Sequence, residues 1–250
     1  MRKSLNLAAM LLAVVAVVAT GCHKENNGGD NGGGNGGNNG GGSNPTTGTI
    51  NGHAWVDLGL PSGTLWATTN VGADTPEAYG DYFAWGETET KSTYYWNTYK
   101  YANGDYNKLT KYCNDASHGD NGFTDTLTVL LPEDDAATAN WGGVWRMPTA
   151  NEMHELLENC THNWTTQNGV NGCLFTASNG NSIFLPAAGG CWDGRLNRTD
   201  SHGDYWFSSL GASSPEGAWN LHFDSYDCVT GNSGRCSGFS VRPVCFATQK

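Results

Sequence analysis

The chain has 250 residues and a formal net charge of −11 at pH 7, with ten tryptophans and ten tyrosines but only 15% charged residues. This acidic balance argues against a nucleic-acid partner, which requires a basic footprint, and disfavours anionic surfaces. After the N-terminal features are set aside, roughly 200 residues remain, a length that supports one substantial core.

Arg2 and Lys3 precede an unbroken apolar run from Ala8 to Ala19, followed by Thr20-Gly21-Cys22. These are the three parts of a secretory signal ending at a lipobox, so residues 1–21 are expected to be removed and Cys22 lipidated. The run falls short of the about 20 residues that a membrane span needs, and acyl chains on Cys22 would supply the membrane attachment instead. An outer-membrane lipoprotein, exposed at the cell surface, is the expectation. From Asn26 to Thr46 the chain is almost entirely Gly and Asn, which cannot be buried against a core. Residues 22–46 therefore read as a lipidated tether with a typical span of about 25 Å, and residues 47–250 as one folded domain.

Within that domain, short alternating segments such as Trp55 to Gly59 and Asp81 to Trp85, bounded by Gly, Asn, Asp and Pro, predict short strands and long loops. One helix is predicted over Met147 to Asn159. Thr149 and Glu152 have capping-box spacing, and Met153, Leu156, Leu157 and Cys160 follow at helical intervals. A weaker helix is predicted over Pro132 to Asn140, with Glu133, Asp134 and Asp135 favourably placed at its N-terminus. The same trio lacks the spacing of a calcium loop. The class is thus α+β, with one or two helices.

The last sixty residues pair a fixed frame with a polar filling. The frame consists of Phe184 to Gly189, Tyr205-Trp206, Ala218 to Phe223 and Gly238 to Val244. The filling from Gly190 to Gly238 contains no Lys, Met, Gln or Ile. Asn codons whose two adenines are replaced at random never encode Lys, Gln, Met, Glu or Trp, and the filling nearly obeys that rule. Trp192, Glu216 and Trp219 do not; they are constant, derive from other codons or count against the idea. Alternation along Ala218 to Asp224 places Trp219, Leu221 and Phe223 on one face and Asn220, His222 and Asp224 on the other. The first set is expected to build core and the second to face solvent or a ligand.

Three motifs in order, Val56 to Ala67, Trp145 to Thr149 and Phe239 to Val244, resemble the Fibrobacter succinogenes major paralogous domain. That family is common in envelope lipoproteins and related to the C-type lectin fold shared with formylglycine-generating enzymes. Some members are variable proteins of diversity-generating retroelements, in which an error-prone reverse transcriptase rewrites template adenines at the gene's 3′ end. The enzyme acts on the gene and not on the protein. The resemblance implies a C-type lectin-like domain with a variable region over residues 190–237. It places variable, ligand-binding positions at Gly190, Cys191, Arg195, Arg198, His202, Asp204, Phe207, Gly211, Ser213, Ser214, His222, Asp224, Tyr226, Cys228, Asn232, Ser233, Cys236 and Ser237. The expected partner is a protein or glycan ligand, with Tyr226, Phe207, Arg195 and Arg198 carrying most of the binding energy.

Seven cysteines follow Cys22, an odd number for an exported domain, and their spacing matches no zinc motif. No cofactor, metal or catalytic group is expected. An undiversified envelope protein binding glycan or protein through the same face is the alternative. A formylglycine-type oxidase is a weaker one, for which Cys228 and Cys236 are the candidate pair.

Overall fold

The computed structural model describes residues 46–211 and 213–246. The leader, Cys22 and the tether up to Pro45 lie outside the described residues. The architecture is α+β: small antiparallel sheets with two short α-helices.

Local turn chemistry builds much of it. Strands β1 (Thr47–Ile50) and β2 (His53–Asp57) are joined by Asn51-Gly52, and β4 (Cys160–Gln167) and β5 (Val170–Ala177) by Asn168-Gly169. Both turn residues are left-handed in each case, at φ 49° and 80° in the first and 49° and 84° in the second. Asn-Gly tolerates that conformation, and its twist matches the flanking strands. Asp193-Gly194 joins β7 (Gly190–Trp192) to β8 (Arg195–Asn197) in the same way. Strand β3 (Thr64–Ala67) pairs with β2, and the last strand, β12 (Val244–Phe246), adds to its other edge, so the order is β1-β2-β3-β12. Strand β6 (Ser182–Pro186) completes a second sheet with β5 and β4. Strands β9 (Gly203–Leu210), β10 (Gly217–Phe223) and β11 (Cys228–Gly234) form a three-stranded meander.

Helix α1 (Ala136–Trp141) begins at Asp135, whose side chain accepts from Thr138 N–H. Asp134 is buried and accepts from Tyr112 Oη at 2.6 Å, Lys111 Nζ at 2.5 Å and Tyr101 Oη. Asp134 and Asp135 thus hold local structure, while Glu133 is exposed. Helix α2 (Ala150–Asn159) starts three residues later than its hydrophobic pattern suggests, because Thr149 is the N-cap and closes a reciprocal capping box with Glu152. Cys160, in phase with the helix, instead opens β4. The segment Asp81 to Trp85 forms no strand. Phe83, Ala84 and Trp85 are all buried, and Phe83 makes only a two-bond bridge to Phe239, at 3.0 Å each way.

Two apolar clusters flank β9. Trp85, Trp145, Trp206 and Phe239 belong to one; Trp66, Met153, Phe175, Phe207, Leu221 and Phe223 belong to the other. Alternation along β9 sends Trp206 one way and Tyr205 and Phe207 the other, so this strand is covered on both faces. Arg242 is fully buried beside them. Its guanidinium donates to Asn70 Oδ1 at 2.9 Å and to the carbonyls of Phe184 at 3.0 Å and Ala67 at 3.2 Å. Burial lowers its pKa to about 10, which leaves it charged at neutral pH.

Replacing Arg242 with Ala strands three buried acceptors, each costing about 1–3 kcal/mol. R242A is expected to lose about 3 kcal/mol or more in urea denaturation, and R242K to recover little, since an ammonium lacks the planar fork. Glu152 provides a pH signature. Burial would raise its pKa, but the Arg146 guanidinium and the Thr149 N–H and hydroxyl outweigh this and hold it below the ordinary 4.5. Its folded pKa is therefore depressed, so its contribution is complete above the unfolded value and lost as pH falls through the folded one. E152Q should be less stable at neutral pH, and its unfolding midpoint should fall less steeply than that of the parent on acidification below about pH 4.5.

Candidate functional site

The outer face of the β9–β10–β11 meander carries a cleft of about 520 Å³, within the range of ligand sites. Strand alternation makes it. Leu221 and Phe223 of β10 point into the core, with Trp219 packed partly against it, while Asn220 and His222 line the cleft. From the sequence-predicted set, Arg198, Asp204, His222, Asn232, Ser233 and Ser237 converge here. Trp192 and Phe239 add aromatic wall, and the Arg198 guanidinium lies 5.7 Å from the Trp192 ring centroid.

Polar contacts organise the floor. Asp204 is buried and pairs through Oδ1 with His222 Nδ1 at 2.9 Å. That hydrogen bond raises the His222 pKa against the opposing effect of burial. Asn220 is buried, and its Oδ1 has no hydrogen-bond partner among the described residues. His202 stands beside His222, ring centroids 5.5 Å apart. Burial first, then Arg198 and His222, lowers its pKa. Asp224 lies beyond the end of β10, its pKa lowered by the N–H groups of Tyr226 and Asp227. His202, His222 and Asp224 bring one ligand atom each to within 4.8 Å of one another.

The remaining predicted positions divide sharply. Arg195 and Tyr226 are exposed, and Asp224, Tyr226 and Cys228 border a second hollow of about 380 Å³ with Trp164 and Cys173. Ser213 and Ser214 sit on the β9–β10 connection, bonded to Asn232 and Glu216 respectively. Cys191 packs partly against the first core cluster. Three positions contradict their assignment to a variable, ligand-facing surface. Phe207 is fully buried, because β9 is covered on both faces. Cys236 lies in the core, its pKa pushed up to about 11 by burial. A Cβ on Gly190 would meet the Phe239 ring at 2.7 Å, whereas one on Gly211 would meet only the end of the exposed Asn232 side chain, which can move aside.

The oxidase pair is not brought together. Cys228 and Cys236 flank opposite ends of β11, whose length is about 20 Å, whereas bridging requires Cα atoms within about 7 Å. Cys228 instead adjoins Cys173 of β5. Sequence reasoning put Asn220 on the ligand-facing side of its strand but left it out of the variable set, and it overlooked Trp192 as a cleft residue. The signal for Asn220 was present, since its parity matches His222; Trp192 was set aside by the codon rule, which says nothing about constant residues that shape a site.

Packing predicts which positions tolerate change. F207A should cost about 3–5 kcal/mol and R198A less than about 0.5 kcal/mol, measured by urea denaturation. No family model, curated protein or solved structure matches the chain.

Proposed function

We propose that the chain is a surface-displayed lipoprotein, anchored through Cys22, that binds protein or glycan ligands through the outer face of β9–β11. The domain is taken as C-type lectin-like, of the Fibrobacter succinogenes major paralogous type, with residues 190–237 rewritten by adenine-directed mutagenesis. It binds and performs no chemistry. One observation carries this reading: six of the residues singled out as variable, scattered from Arg198 to Ser237, meet in one cleft. Side chains there project from strands whose other face is core, so they can change without emptying it.

An undiversified protein with an inherited ligand is favoured by a different observation. Asp204 Oδ1 is bonded to both His222 and Asn220 at the cleft floor, an arrangement that random replacement would break.

Deep sequencing of the locus across one population separates the two. Diversification predicts substitutions at adenine-derived codons for exposed or cleft positions such as Arg195, Arg198, His222, Tyr226 and Asn232, with Phe207, Cys236 and Gly190 constant. A uniform sequence would sink the diversification reading. For a variant with an identified ligand, combined R195A, R198A and Y226A should weaken binding at least about tenfold, as loss of aromatic and Arg anchors does. Unchanged affinity would rule this face out.

A further inference from the structure

We propose that His202, His222 and Asp224 form a binding site for zinc or a similar borderline divalent cation, with an open coordination position toward solvent at the rim of the cleft. Strand register creates the site. In the β9–β10 ladder His222 lies opposite Asp204 and Phe223 opposite Gly203. One step further, His202 faces Asp224. Positions two apart share a face, so His202, Asp204, His222 and Asp224 all project from the same side, within cross-strand reach.

Each ligand has its other polar atom held by the protein. Asp204 Oδ1 holds His222 Nδ1 at 2.9 Å, leaving Nε2. Ser201 Oγ lies 2.9 Å from His202 Nδ1, again leaving Nε2. The N–H groups of Tyr226 and Asp227 hold Asp224 Oδ1 at 2.7 and 2.9 Å, leaving Oδ2, which is 3.7 Å from His202 Nε2. Zinc ligands at about 2.0–2.2 Å can span such a gap. Outer hydrogen bonds that fix imidazole orientation are the usual support of a metal ligand. Two nitrogens and one oxygen suit zinc, nickel or copper better than calcium or magnesium, which prefer oxygen. Arg198 opposes a cation here, but the Asp204 and Asp224 carboxylates outnumber it.

All three side chains are partly exposed, between 24% and 29%, so a fourth donor can reach the ion from outside. Three protein ligands with one free position describe a centre that accepts a carboxylate, imidazole or hydroxyl of a bound partner. The inference concerns this chain's own residues and holds whether or not the locus is diversified. A uniform locus with zinc binding, or a varied locus without it, would distinguish the two proposals.

The test is calorimetric titration of Zn²⁺ into the chelator-stripped full chain, kept reduced in detergent. One equivalent should bind, and H202Q, H222Q and D224N should each weaken it at least about tenfold, with D204N weakening it about 10–100-fold through the orientation of His222. Near-UV circular dichroism checks folding. His202 and Asp224 lie outside the ladder, so H202Q and D224N keep the test decisive even if D204N unfolds. Co²⁺ in place of Zn²⁺ should give ligand-field bands without thiolate charge transfer. Absence of binding, binding that survives all three ligand substitutions, or a thiolate-dominated Co²⁺ spectrum would overturn the proposal.

Discussion

The buried guanidinium of Arg242 is the constraint on which the rest of the domain depends. A charge taken out of water with no carboxylate beside it among the described residues is costly, and it is held by groups that converge from distant parts of the chain: the last carbonyl of β3, a carbonyl within β6 and the side chain of Asn70. Asn70 in turn donates to Tyr79 O and Tyr205 Oη, and Tyr205 Oη donates to Pro186 O. Three sheets are thereby locked around one residue near the C-terminus. A network this connected specifies one arrangement, because each partial alternative leaves a buried polar group unpaired. Arg235 repeats the device under the long segment between β3 and α1, donating to Tyr112 O at 2.9 Å and lying 5.4 Å from the ring centroids of Trp85 and Tyr99.

With the frame secured from beneath, the outer face of β10 and β11 carries little of the fold's burden. Core contacts of this meander come from Leu221, Phe223, Trp206 and Phe207, none of which opens onto the cleft. The ladder itself uses backbone groups, which do not depend on side-chain identity. Changing Arg198, Asn232 or Ser237 alters what a partner meets without altering what holds the sheet, whereas changing Phe207 alters the core directly.

Legibility in the sequence followed the range of the interactions involved. The Thr149–Glu152 box is decided within a few residues and stands where the pattern puts it; the Asn-Gly hairpins are equally local, although the sequence reading did not single them out. The helix start was misplaced because Met147 continues the apolar period while serving the core from outside the helix, ahead of the Thr149 cap. Asp81 to Trp85 alternates in polarity, yet tertiary packing buries Phe83, Ala84 and Trp85 in succession, which overrides a period-two reading. Phe207 and Cys236 were misread for a related reason: which codons can arise is a property of the gene, and burial is a property of strands that meet from far apart in the chain. The His202, His222 and Asp224 cluster has no signature along the sequence, since cross-strand register alone unites it.

Asp204 shows why codon-level reasoning overstates the set of replaceable positions. It is codable from a mutated Asn codon and lines the cleft, yet it is buried and bonded to both His222 and Asn220. Removing its carboxylate would leave the Asn220 amide without that partner beside an already unpaired Oδ1, and would free the His222 ring to rotate. Its substitution therefore carries a cost that substitution of exposed Arg195 does not. A diversified version of this surface would have to hold Asp204 with the frame and vary around it. Variation at positions 202, 222 and 224 would instead exchange the cation site for another chemistry while Leu221 and Phe223 kept the strand in place.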